Sequence, residues 1–150
     1  MEQNPIDGNY DLEHLKGIHR FIFGDIFEWA GTLRTVNISK GVLFCRVEFL
    51  EDNCNDIFRK LSKERFEEMD IEDIVRTLAH YLGEINAIHP FREGNGRTQR
   101  AFINQLAMKY GYYLDFSKIS EKEMIEASYH SFNVDDTKMI ALINRIIIKK

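Results

Sequence analysis

Only two prolines occur in 150 residues, Pro5 and Pro90, so almost nothing in the chain forbids helix. Upstream of Pro90, Ile74, Leu78, Tyr81, Leu82, Ile85 and Ile88 recur three and four residues apart. That spacing predicts an amphipathic helix over 71–88. Pro90 cannot continue it and biases His89 away from helical geometry, so a loop begins at His89. The same periodicity through Leu12, Leu15, Ile18, His19, Ile22 and Ile26 predicts a helix from about Asp11, its N-cap, to Phe27. Further helices are expected over Leu50 to Lys63, Gly96 to Tyr110, Glu121 to Phe132 and Asp136 to Ile148, with a break at Gly111. Arg34 to Phe49 is different in character, rich in Val, Ile and Phe around Ser39-Lys40-Gly41. It reads as a β-hairpin, the only β element expected. A lone hairpin is marginal in water, so it should lie against the helical body. The fold class is therefore all-α, a compact helical bundle with one small β-hairpin, in a single domain over 1–150.

Composition narrows the functional classes. Apolar residues make up 44% and charged residues 29%, an ordinary soluble balance. No apolar run nears the roughly 18 residues that a membrane span needs. The first ten residues are polar and lack the apolar core of a secretory signal, so a cytoplasmic protein is expected. Cys45 and Cys54 are the only cysteines and form no CxxC pair, which suits two ordinary thiols. The net charge of −4 argues against nucleic-acid binding, which draws on basic surface. Lys149 and Lys150 suit the end of the last helix. There is no G-x-x-x-x-G-K-[ST] segment, so the chain is not a P-loop NTPase. His14, His19, His80 and His130 are scattered and read as structural or surface groups.

The chemistry concentrates in His89-Pro90-Phe91-Arg92-Glu93-Gly94-Asn95-Gly96-Arg97-Thr98-Gln99-Arg100. Gly94 and Gly96 permit positive φ and close approach of a ligand to the backbone. A helix beginning near Gly96 points unpartnered N–H groups and a partial positive charge at that loop, which makes an anion site. Arg97 and Arg100 lie one turn apart on the same face, and arginine forks bind phosphate oxygens. Glu93 would repel a phosphate unless a cation lay between them, and Mg²⁺ is commonly held by a carboxylate plus substrate phosphates. His89 can take a proton from an attacking hydroxyl. Each part alone has a plainer reading: a helix-end cation, a solvated carboxylate, an ordinary turn, surface arginines. Their convergence on one loop favours the anion site.

These twelve residues match the signature H-x-F-x-[DE]-G-N-G-R-x-x-R at every specified position, and the chain resembles the Fic family. Leu15-Lys16-Gly17-Ile18-His19-Arg20, the Trp29-Ala30-Gly31 turn and the Arg34 to Arg46 segment are similar to upstream Fic elements. The resemblance implies a Fic fold and a protein adenylyltransferase. Such an enzyme transfers AMP from ATP to a Tyr, Thr or Ser hydroxyl and releases pyrophosphate. It implies that His89 is the general base and that Glu93 coordinates Mg²⁺ between the α- and β-phosphates. Gly94, Asn95 and Gly96 would form an anion hole, with Asn95 near the α-phosphate, and Arg97 and Arg100 would hold the outer phosphates. Phe91 would anchor the loop from within. The hairpin resembles the family's flap, which pairs with an extended target segment. Lys40 and Gly41 at its turn would touch the nucleotide, and Asn133 matches a position that contacts adenine. A kinase-like branch of the family carries Lys where this chain has Gly96, which implies the AMP-transferring form here.

Many Fic proteins carry an inhibitory helix with [ST]-x-x-x-E-[GN], whose Glu pairs with the second motif arginine, here Arg100. No such segment occurs; Ser117 to Glu121 is followed by Lys122. The expectation is therefore a toxin controlled by a separate small helical antitoxin that inserts a Glu near Arg100. Some relatives modify DNA gyrase or topoisomerase IV and others are secreted into host cells; this sequence does not choose between those targets. Two alternatives stay open: a nucleotide-binding module of Fic fold, or a transferase of a different nucleotide-derived group.

Overall fold

A computed structural model describes residues 6–40 and 43–150. The protein is mostly helical, with a small two-stranded antiparallel sheet. Among the described residues six α-helices follow in order: α1 (Leu12–Phe23), α2 (Leu50–Ser62), α3 (Ile71–Ile88), α4 (Asn95–Lys109), α5 (Glu121–Asn133) and α6 (Thr137–Ile146). Strands β1 (Tyr112–Leu114) and β2 (Ile147–Lys149) and three short 3-10 turns, Val47–Phe49, Phe66–Glu68 and Phe116–Lys118, lie between or after them. None of the helices is long and apolar enough to cross a membrane, among the described residues.

Local chemistry explains most boundaries. Asp11 caps α1 by accepting the His14 N–H at 2.9 Å, which satisfies one of the first-turn donors. The helix stops at Phe23, four residues short of the expected Phe27, where Gly24 closes it on the Arg20 carbonyl. Ile26 is left exposed, outside the apolar stripe. Asp70 caps α3 through the Asp73 N–H at 2.9 Å. Ser120 and Glu123 form a reciprocal capping box at the start of α5.

The residues cluster into two compact units, Met1–Glu64 with Ile85–Phe102, and Arg65–Glu84 with Ile103–Lys150. In the first, Leu15, Ile18 and Phe91 are fully buried. Phe102 stands edge-on to Phe58 at 5.6 Å and to His14 at 5.6 Å. In the second, α5 packs on α6, and Met139, Ile143 and Ile146 are sealed from solvent. Leu114 is sealed there too, and the Asn104 side chain accepts its N–H at 2.7 Å.

The β structure departs from expectation. Among the described residues, segment 34–49 forms no pair of strands, only an isolated antiparallel bridge between Ser39 and Leu43, with the Phe44 N–H on the Ile38 carbonyl at 3.2 Å. Its other backbone donors turn elsewhere: Cys45 N–H reaches the Ala87 carbonyl at 3.3 Å, and Val47 N–H reaches the Asn37 side chain at 2.8 Å. The sheet is instead made by Tyr112–Leu114 against Ile147–Lys149, with Tyr113 opposite Ile148. The last helix was expected to run to Ile148 but ends at Ile146, after which the backbone is extended. A run of three isoleucines, each β-branched, suits a strand better than a helix end.

Because α1 carries residues of the first unit's core, its cap tests the local account. Asp11→Ala should lower stability by about 1 kcal/mol, read as a lower urea midpoint with an unchanged slope.

Candidate active site

The loop between α3 and α4 is tied down at both ends and in the middle. At its start, His89 stands at φ 53°, a left-handed conformation that is uncommon outside glycine. Pro90 keeps His89 out of the right-handed helix, and the surrounding bonds choose the left-handed region over the extended one. Those bonds come from Arg34, which is 4% exposed. Its Nε donates to the His89 carbonyl at 2.7 Å and Nη2 to the Ile88 carbonyl at 3.0 Å. Nη1 donates to the Val36 carbonyl at 2.8 Å, and Nη2 also reaches the Cys45 carbonyl. The Arg34 N–H donates to the Pro90 carbonyl at 3.0 Å. A cation at a helix C-terminus meets the negative end of the macrodipole and the carbonyls that lack helical partners.

In the middle of the loop, Asn95 folds back on Phe91. Its side chain accepts the Phe91 N–H at 2.9 Å and donates to the Phe91 carbonyl at 2.6 Å. The Asn95 amide is thereby committed to the loop, and its backbone N–H belongs to the first turn of α4. Phe91 is fully buried and stacks on the His19 ring at 3.9 Å, so the residue expected as the anchor sits as expected. At the far end of the loop, His19 Nε2 lies 2.9 Å from the Glu93 carbonyl. A carbonyl can only accept, so Nε2 carries the proton. His19 Nδ1 accepts the Gly31 N–H at 2.9 Å, which agrees with that tautomer. Gly31, at φ 80°, supplies the turn after Trp29.

Gly94 takes φ 81°, and a Cβ there would run into the Phe23 ring. Gly96 does not need positive φ, contrary to expectation: it lies inside α4, which begins one residue earlier. What the site uses is its small size. A Cβ on Gly96 would stand 3.0 Å from Arg100 Nη1, so Arg100 folds back toward the start of the helix. The Arg97 guanidinium lies over the Phe23 ring at 5.4 Å. Both arginines therefore flank the first turn of α4, whose N–H groups lack intrahelical partners.

His89 itself has a defined state. Its Nδ1 lies 3.2 Å from the Asn86 carbonyl, so Nδ1 donates and Nε2 keeps its lone pair. The ring stacks on Phe44 at 3.9 Å and 7°. Burial pulls the imidazole down to about 4, and the charges of Lys40 and Arg34 push in the same direction against the bond to Asn86. The group is neutral at physiological pH, as a base must be. His19 is likewise held below its usual range by burial, against the bond to Glu93.

Of the residues singled out from the sequence, His89, Glu93, Gly94, Asn95, Gly96, Arg97 and Arg100 share this one loop and helix start. Lys40 is exposed beside the Ser39–Leu43 bridge and close enough to act electrostatically on His89. Gly41 lies outside the described residues. Asn133 ends α5 in the second unit, where its side chain donates to the Tyr129 carbonyl at 2.9 Å. His14 is structural, its ring between the Ile6 carbonyl and the Tyr10 N–H. The sequence reading missed Arg34 and His19. Their partners are 55 and 74 residues away, and no local spacing marks them.

Glu93 is exposed on the loop. No group of three or more His, Cys, Asp or Glu is placed to hold a metal among the described residues. A closed protein cage is thus not offered; one solvent-facing carboxylate beside a helix N-terminus would suit Mg²⁺ if phosphates bound there, since that ion keeps waters and shares substrate oxygens.

A buried neutral histidine, a carboxylate and two arginines around a helix N-terminus define a helical domain built for nucleotide or phosphate chemistry. The family model described as "Fic/DOC family" matches residues 9–107, and the chain belongs to that family. It is 42% identical over 147 residues to "Protein adenylyltransferase VbhT" of Bartonella schoenbuchensis, covering 97% of this chain and 31% of that protein. It is 39% identical over 144 residues to "Probable protein adenylyltransferase y4lH" of Sinorhizobium fredii, covering 94% of this chain and 75% of that one. The N-terminal Fic domain of a VirB-translocated Bep effector protein from Bartonella quintana, with bound ADP, superposes with a TM-score of 0.90. It is 25% identical, with 99% of this chain and 78% of that chain covered. The chain thus spans about a third of the length of the Bartonella schoenbuchensis relative.

The histidine states have a pH consequence. A group whose folded pKa lies below its unfolded value stabilises fully above the unfolded value, and that contribution is lost as pH falls. For His89 the window runs from about 6.5 down to about 4. The stability advantage of the native protein over His89→Gln should shrink by an amount on the order of 3 kcal/mol between pH 7 and pH 4. Urea titrations across that range measure it; an advantage that grows on acidification would reverse the assignment.

Proposed function

We propose that this protein transfers AMP from ATP to a Tyr, Thr or Ser hydroxyl of a target protein and releases pyrophosphate. The observation that carries the reading is the state of His89: neutral, stacked, with Nδ1 committed to Asn86 and the Nε2 lone pair available. The family membership and the relatives named as protein adenylyltransferases support the same reading.

The target hydroxyl oxygen attacks the α-phosphorus and forms a new P–O bond. The bond from the α-phosphorus to the bridging oxygen of the β-phosphate breaks, and pyrophosphate leaves. The hydroxyl proton passes to His89 Nε2. General-base help of this kind is worth about 10²–10⁴-fold. The N–H groups at the start of α4 face the charge that builds on the α-phosphate, and Arg97 and Arg100 hold the outer phosphates. Glu93 would hold Mg²⁺, which when bound neutralises phosphate charge. Gly94 and Gly96 leave room for Phe23 and Arg100 beside the loop, and Lys40 and Gly41 belong to the proposed nucleotide contacts.

The target docks as an extended segment along the flap around the Ser39–Leu43 bridge, where Leu43 is exposed. DNA gyrase and topoisomerase IV are the candidate targets in a bacterial cytoplasm. Control by a separate small helical antitoxin, which sets a glutamate beside Arg100, belongs to the same proposal. The placement of Arg100 against the first turn of α4 supports it.

ATP labelled on the α-phosphate, with Mg²⁺ and a bacterial lysate, tests the reading. The native protein should label a discrete protein band, and His89→Ala should reduce that label at least 100-fold. Intact ATP binding without transferred label would point to a binding module or another donor. Label that persists in His89→Ala would remove the assigned base. Because kcat/KM reports the free enzyme, its acid limb should fall near pH 4 rather than near 6.5.

A further inference from the structure

We infer that His19 is a positioning residue for Glu93, and that its Nε2–H bond to the Glu93 carbonyl aims that carboxylate at the metal–phosphate site. The inference rests on the reading of Glu93 as the Mg²⁺ ligand.

The geometry is that of a strut. His19 comes from the middle of α1 and is fully buried. Its ring stacks on Phe91 at 3.9 Å, with the Trp29 ring at 5.8 Å. Phe23, one turn further along α1, packs tilted at 5.0 Å. A fully buried ring packed against three aromatic side chains and bonded at both nitrogens is held in one orientation. One accepts the Gly31 N–H at 2.9 Å and the other donates to the Glu93 carbonyl at 2.9 Å. Glu93 immediately precedes Gly94, whose carbonyl accepts the Thr98 N–H at 3.2 Å and the Thr98 hydroxyl at 2.8 Å, so the next peptide is fixed to α4. The side chain of Glu93 is exposed, so packing does not orient it. The direction of its Cα–Cβ bond is set by the backbone, and the one side-chain bond to that backbone comes from His19, among the described residues. The Arg34 and Asn95 contacts hold the loop upstream, at His89 and Phe91. Thr98 holds the residue that follows, and the bond to the Glu93 carbonyl itself comes from His19.

The two nitrogens can be separated chemically. Asn places its side-chain oxygen near the position of Nδ1 and keeps an acceptor for Gly31, but loses the donor to Glu93. Gln reaches to the position of Nε2 and keeps that donor, but loses the acceptor for Gly31. Both lose the ring stack, so the contrast isolates the bond to Glu93.

The test is ADP binding by calorimetry, with excess Mg²⁺ and with EDTA, for the native protein, Glu93→Gln, His19→Asn and His19→Gln. Mg²⁺ should strengthen ADP binding to the native protein, and Glu93→Gln should abolish that gain. His19→Asn should cut the gain by about tenfold, the usual cost of losing an outer support of a metal ligand. His19→Gln should keep it within about threefold, and binding in EDTA should be the same for both. Equal gains in the Asn and Gln variants would overturn the role of His19 while leaving Glu93 in place. A gain that survives Glu93→Gln, or no gain in the native protein, would overturn both. Should His19→Asn not fold, proton exchange at the ring of the native protein decides. A His19 Nε2–H protected from solvent, and more so with Mg²⁺ and ADP, supports the strut; a freely exchanging one refutes it.

Discussion

The guanidinium of Arg34 is buried with no carboxylate beside it among the described contacts. Taking a cation out of water is costly, and its positive charge is matched only by the partial charges of carbonyl oxygens. Burial accordingly lowers its pKa. Four carbonyls receive it, from Val36, Cys45, Ile88 and His89. Two of these end a helix and two belong to the flap segment. A helix whose last carbonyls are turned toward a buried arginine can stop abruptly, and α3 stops at Ile88, two residues before the proline. The flap segment, which makes almost no ladder of its own, is secured by the same cation.

From that tie the state of His89, the proposed base, follows. His89 is held in a conformation that costs free energy, and the fixed carbonyl at His89 is one of the bonds that offset it. With the backbone set, the ring falls between the Asn86 carbonyl and the face of Phe44. Burial and two neighbouring cations then keep it neutral. The rest of the loop repeats the pattern, with side chains from other elements gripping backbone polar groups: Asn95 at Phe91, His19 at Glu93. Rigidity of this kind suits phosphoryl transfer, where a protein contributes mainly position and fixed charge.

Much of this was legible in the sequence, for local reasons. The stripe from Ile74 to Ile88 and the cap at Asp11 act through near neighbours in the chain, and the extent of α3 and the start of α1 follow them. The residues of the loop are contiguous, so their convergence needed no fold. What was hidden depends on distant partners. Arg34 looked like one more residue of a hairpin, and His19 like a helix-face histidine. The hairpin itself was overestimated because Val, Ile and Phe favour strands only when their backbone finds a partner strand. Here the Cys45 N–H finds the end of α3 instead. Conversely, Ile146–Ile148 continued an apolar helical pattern, yet the chain switches to a strand because Tyr112–Leu114 offers an edge.

The most direct measurement is nitrogen NMR of the histidine rings at neutral pH, with His89 assigned by substitution. The account predicts a neutral His89 with its proton on Nδ1 and a bare Nε2, and His19 with the opposite tautomer. A His89 that is charged at pH 7, or neutral with its proton on Nε2, would contradict it.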